Sequence, residues 1–169
     1  MENENTINAP QSALMIHNQY IKDMSLEIPL APEIFKEMKQ GPEMHMDISM
    51  SNKKLEGDNT YEISLVTKMN GNLADKPLFI IELTYSAIVS INVAPEHMEL
   101  VMMIELPRLL FPFVRSIIAN SLSQAGLPPV LISPIDFVAM YQARKAKEAE
   151  AANHSAPADE AKDKKKKKK

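Results

Sequence analysis

Residues 43–50 read Glu43, Met44, His45, Met46, Asp47, Ile48, Ser49, Met50. Apolar and polar side chains alternate strictly over these eight positions. A period of two is the spacing of a β-strand, whose successive side chains point to opposite faces. Met44, Met46, Ile48 and Met50 therefore share one face, and Glu43, His45, Asp47 and Ser49 the other. The flanks follow the same rule. Residues 60–69 set Tyr61, Ile63, Leu65 and Met69 against Thr60, Glu62, Ser64, Val66 and Lys68. Residues 78–93 form a long β-rich run with Phe79, Ile81, Leu83, Tyr85, Ala87, Val89, Ile91 and Val93 on one side. Residues 13–28 alternate loosely and end at Pro29. Asn70-Gly71 reads as a turn, and Gly41-Pro42 as a break. Four strands in succession suggest an antiparallel meander.

Beyond Pro95 the period changes. Glu96 to Glu105 fits a short helix. Pro107 to Gln124 fits the best helix, with Leu110, Val114, Ile117, Ile118 and Leu122 at steps of three and four and Gly126 to stop it. Pro112 must lie in its first turn or break it, because proline donates no interior hydrogen bond. Residues 127–133 form an apolar, Pro-flanked loop. A last helix starts at Pro134, capped by Ser133, with Asp136 in its first turn, and frays over residues 143–152. The order is α+β: a four-stranded antiparallel sheet with helices packed on one face. Residues 1–13 are a polar, disordered segment, 14–145 the domain, and 146–169 a flexible tail ending in a lysine run.

The chain of 169 residues has 19 basic and 22 acidic residues, but seven Lys and one Asp fall from Lys162 onward. Residues 1–161 thus carry a net charge of -9. An acidic body does not concentrate the Lys and Arg that a nucleic acid demands. There is no Cys, hence no disulfide and no thiolate site. No signal peptide opens the chain, and no run of about 18 apolar residues spans a membrane. The four His (His17, His45, His97, His154) have no partners at ligand spacing, so no metal site is expected. No Ser lies in a nucleophile motif. Asp23 and Glu27, about 13 Å apart on a strand, suit a charged stripe better than acid–base catalysis. The residues do not describe an enzyme, and no cofactor is expected.

Two features stay open between core and binding surface. The Met stripe has flexible, polarizable side chains that can fill a core or adapt to many partners. Val130, Leu131 and Ile132 lie in a loop with no evident reason to be apolar. Glu82 interrupts the apolar run of Leu78, Phe79, Ile80, Ile81 and Leu83, so it should face water or a partner's cation. So much apolar surface on so short a chain also predicts self-association.

Three blocks then become familiar. Tyr20-Ile-Lys-Asp-Met-Ser-Leu-Glu-Ile-Pro-Leu-Ala-Pro32 resembles the first strand and turn of the SecB protein-export chaperones. Pro107-Arg-Leu-Leu-Phe-Pro-Phe-Val-Arg115 resembles their helix signature, and Gly126 to Phe137 their connecting loop and last helix. The resemblance covers residues 14–145 in order and excludes the lysine tail. It implies a cytoplasmic homotetramer, a dimer of dimers, that holds unfolded precursor proteins without ATP and delivers them to SecA, with no cofactor and no membrane insertion. It implies that Asp23, Glu27, Ile80 and Glu82 contact SecA. It implies that Met44, Met46, Ile48, Val130, Ile132 and Tyr141 bind clients. SecB-like proteins also serve toxin–antitoxin pairs, which the body sequence alone does not separate. A small apolar-ligand carrier is the rival from another class and requires a closed pocket.

Overall fold

The computed structural model describes residues 12–38 and 41–154. Most of the expected N-terminal segment (1–11) and of the tail, with its lysine run (155–169), lies outside them. The chain forms two compact units, one ending at Pro134 and one beginning at Ile135.

The first unit is built on four antiparallel strands: β1 (Leu14–Glu27), β2 (Glu43–Lys54), β3 (Thr60–Leu73) and β4 (Lys76–Ile91). Their order is β1-β4-β3-β2. Only β2, β3 and β4 make the expected meander. β1 pairs with β4, so the connection after it, which holds a 3-10 turn at Glu33–Lys36, carries the chain to the far edge. Alternation within a strand fixes its faces but not its neighbours, which is why the order was not legible.

Cross-strand partners share a face. Gly71, Met69, Thr67, Leu65 and Ile63 of β3 oppose Phe79, Ile81, Leu83, Tyr85 and Ala87 of β4. All ten are buried. They form the core floor. On the other face the same strands carry Glu62, Ser64, Lys68, Glu82, Thr84 and Ser86. The reversal between β3 and β4 falls at Ala74-Asp75, not at Asn70-Gly71. Gly71 stays in the strand because the Phe79 ring occupies the place of its missing side chain.

The two expected helices are one continuous helical run. α1 (Pro95–Leu100) passes through a π turn (Val101–Glu105) into α2 (Leu106–Gln124). At the π turn the Leu106 amide donates to the Val101 carbonyl, five residues back. Pro112 lies inside α2 without ending it. Pro112 and Arg108, one turn back, are both exposed, so water can take the carbonyl that proline leaves unpaired. Leu106, Leu110, Phe111, Val114, Ile118 and Leu122 are buried, and α2 packs on β3 and β4. Burying each such side chain contributes about 1.5–3 kcal/mol.

The second unit holds α3 (Phe137–His154). Asp136, rather than Ser133, caps it: its carboxylate accepts from the Val138 and Ala139 amides, both at 3.0 Å. The helix continues past the expected fraying point, supported by an Arg144–Glu148 pair at 2.7 Å one turn apart.

Candidate functional site

The Met stripe lies on the helix-facing side of the sheet. Met44, Met46, Ile48 and Met50 oppose Gly71, Met69, Thr67 and Leu65 of the core floor. The β3 residues are buried, while all four β2 residues remain half-buried. β2 is an edge strand, and α2 rests chiefly on β3 and β4. The stripe is therefore continuous with the core but incompletely covered. Glu43, His45, Asp47 and Ser49, on the reverse face, are exposed. The strict alternation was a correct sign of this geometry.

The apolar loop makes a second apolar surface. Val130, Leu131 and Ile132 line a cavity of about 260 Å³ with Pro112, Arg115 and Ala119 of α2. Val130 is half-buried, whereas Ile132 is only 7% exposed. Leu131, between them, is 88% exposed and offers the freest apolar side chain of the loop. Tyr141 belongs to the second unit, where the Lys145 ammonium lies 5.6 Å from its ring centroid.

The four acidic-surface candidates come together on the polar face. Glu27 is directly opposite Ile80, Glu82 opposite Ser25, and Asp23 opposite Thr84. Asp23 and Glu27 are exposed, and Ile80, at 38%, is an outward-facing aliphatic between carboxylates. Glu82 accepts from Lys68 at 2.8 Å, with both side chains about half exposed. An exposed pair of this kind is worth about 0–1 kcal/mol and leaves the carboxylate free to exchange partners. Lys68 was missed because only the β3–β4 register sets it opposite Glu82.

The same face carries a cluster that the sequence did not single out. The Lys22 ammonium donates to both oxygens of Glu62, at 2.9 and 2.8 Å, and the Tyr20 hydroxyl donates to Glu62 as well. The hydrogen bonds from Lys22 and then Tyr20 hold the Glu62 carboxyl below its ordinary range, against the opposing effect of burial. The bond to Glu62, with burial and the nearby negative charge, pushes the Tyr20 hydroxyl up to about 12. Next to it, the buried Ser64 and Ser86 hydroxyls pair at 2.8 Å. Among the described residues no group of three His, Cys, Asp or Glu could hold a metal ion. No helix there is long and apolar enough to cross a membrane.

The arrangement is thus a sheet with an under-covered apolar edge on one side and a mixed-charge surface on the other. A family model described as preprotein translocase subunit SecB matches residues 7–148. The chain belongs to the SecB family. Among curated relatives, the protein-export protein SecB of Rhodospirillum rubrum is 40% identical over 155 residues, covering 91% of this chain and 96% of that one. The SecB of Paramagnetospirillum magneticum is 46% identical over 136 residues, covering 79% and 86%. Among solved structures, the fold is similar to that of a Mycobacterium tuberculosis SecB-like chaperone, determined in complex with an antitoxin peptide. The TM-score is 0.62 at 10% identity, covering 73% of this chain and 91% of that one. The chain is accordingly a member of the protein-export chaperones, and its SecB fold combines an antiparallel four-stranded sheet with helices.

Proposed function

We propose that this chain is an ATP-independent holdase that binds non-native precursors in the cytoplasm and delivers them to SecA. The observation that carries the reading is the half-buried stripe of Met44, Met46, Ile48 and Met50 beside a closed core. A holdase must bind many sequences that share only exposed apolar segments. Flexible Met side chains on an incompletely covered edge supply area without shape selectivity. Completing the burial of one half-buried side chain yields about 1 kcal/mol, so a long client gathers affinity from several weak contacts. Val130 and Ile132, with the exposed Leu131 between them, supply a second client contact on the loop, and Tyr141 of the second unit is a further client contact. Residues 14–145 make up the working domain. Exposed Met15, Ile21, Leu109 and Phe113, all near half exposure, favour assembly as a dimer of dimers.

Asp23, Glu27, Ile80 and Glu82 form the SecA-docking surface in this reading. Its carboxylates steer a cationic partner segment, and salt weakens the attraction. The export names of the relatives favour this role over service to a toxin–antitoxin pair. The test is aggregation of an unfolded precursor followed by light scattering without ATP. One tetramer per precursor should suppress it, and Glu82→Lys should weaken SecA binding at low salt while leaving suppression intact. A wild-type chain without effect on aggregation refutes the holdase role.

A further inference from the structure

β1 pairs with β4 in three successive registers. Leu14–Ile16, Asn18–Ile21 and Asp23–Glu27 each run regularly, and His17 and Lys22 are the extra residues between them. An extra residue sets two positions against one and resets the alternation behind it. The reset at Lys22 decides which face the carboxylates occupy. Tyr20 lies opposite Ser86 on the polar face and Ile21 opposite Tyr85 on the apolar face. Plain alternation would then put Asp23 and Glu27 on the apolar face with Ile21. Because the bulge absorbs Lys22, Asp23 and Glu27 fall opposite Thr84 and Ile80 on the polar face. Met24 and Leu26 fall opposite Leu83 and Ile81 on the apolar one.

The extra residue is tied down. Lys22 forms an ion pair at 2.8 Å with Glu62 on β3, two strands away, and the Glu62 side chain is only 10% exposed. Tyr20 adds a hydrogen bond to the same carboxylate. Between them on β4 stands Ser86, whose small side chain leaves room for the bridge. Met24 and Leu26 favour the same register, but both are only half-buried, so their face specifies it less strongly than a fully buried one would. Glu62 also neutralises Lys22, a cation that would otherwise oppose a cationic partner.

We propose that Lys22 and Glu62 are positioning residues: their ion pair captures the extra residue of the β1 bulge and so keeps Asp23 and Glu27 beside Glu82 on the docking face. The proposal rests on the docking reading given above. Neither residue touches the partner in this account. They set the parity of the strand that does.

The experiment titrates SecA onto the full chain at low salt for wild type, Lys22→Met, Glu62→Gln, deletion of Lys22, and Glu82→Lys. Lys22→Met and Glu62→Gln should each weaken docking about fivefold, the effect of displacing two exposed charge contacts, with precursor holding unchanged. Deleting Lys22 removes the ion pair too, yet it restores plain alternation with Asp23 on the polar face, so docking should stay within about twofold of wild type. Docking lost as fully in the deletion as in Lys22→Met overturns the proposal, as does wild-type docking by Lys22→Met. The docking reading fails separately if Glu82→Lys binds SecA normally. A register readout independent of docking is available because the chain has no cysteine. In Lys22→Met, a Cys at position 25 should lose thiol reactivity and a Cys at position 24 should gain it. Unchanged reactivity at both positions overturns the proposal whether or not SecA docks there.

Discussion

Gly71 tests how tightly the floor beneath the Met stripe is packed. It lies on β3 between Met44 of β2 and Phe79 of β4. A Cβ built on Gly71 would stand 2.4 Å from Phe79 Cε1 and 3.0 Å from Cδ1 and Cζ. Phe79 is 1% exposed, so its ring has no free direction in which to swing. Gly71 is not among the residues with positive φ, so Gly71→Ala carries no backbone strain. Reduced chain entropy in the unfolded state would by itself favour Ala by about 0.5–1 kcal/mol. Forcing the ring aside costs about 1–3 kcal/mol, and this effect should win. The expected net loss is about 1–2 kcal/mol. With a urea slope of about 2 kcal/mol/M, the unfolding midpoint should fall by roughly 0.5–1 M. The assay is urea unfolding by circular dichroism at fixed chain concentration. Phe79→Leu should cost less in the Gly71→Ala background than alone, because the two positions compete for one space. A Gly71→Ala chain as stable as wild type, with additive effects of Phe79→Leu, would refute the packing argument.

Three further outcomes follow from buried polar groups. The Thr67 hydroxyl is buried with no hydrogen-bond partner in the structure, so Thr67→Val should be neutral or stabilise by up to about 1–2 kcal/mol in the same unfolding assay. Ser86→Ala should cost about 1–3 kcal/mol by orphaning Ser64, and Ser64→Ala together with Ser86→Ala should recover most of it. Glu62 is held below its ordinary value of 4.5, so its contribution is present above that pH and is lost as pH falls through the lower folded value. Tyr20 is raised to about 12, so its contribution is full below pH 10.0 and is lost as pH rises toward 12. Stability against pH should show both losses in wild type, and Glu62→Gln should flatten the acid limb and shrink the alkaline one.

Much of this was legible in the residues because β-sheets write their faces into the chain. Met44, Met46, Ile48 and Met50 announced one surface of one strand, and the structure places them together. What failed depended on information that does not lie along the strand. The partner of β1 is β4, at the other end of the sheet sequence. Gly71 read as a turn because glycine commonly marks one, whereas here an aromatic ring 8 positions downstream requires it. The two bulges in β1 explain why residues 13–28 alternate only loosely. That looseness was the one signal for the Tyr20, Lys22 and Glu62 cluster, and it cannot be decoded without the register. Leu131 is exposed and Ile132 buried, a difference the residues did not announce because an extended loop carries no fixed period.

The claim at the centre is that clients rest on the helix-facing side of β2 and not on its reverse. The direct measurement places a photo-crosslinking side chain at position 46 or at position 45 and irradiates each with an unfolded export precursor. Position 46 should capture the precursor, and capture should fall when a second unlabelled precursor competes. Position 45, adjacent in sequence but on the opposite face, should capture little. Equal capture from both positions, or capture from 45 alone, would contradict the account.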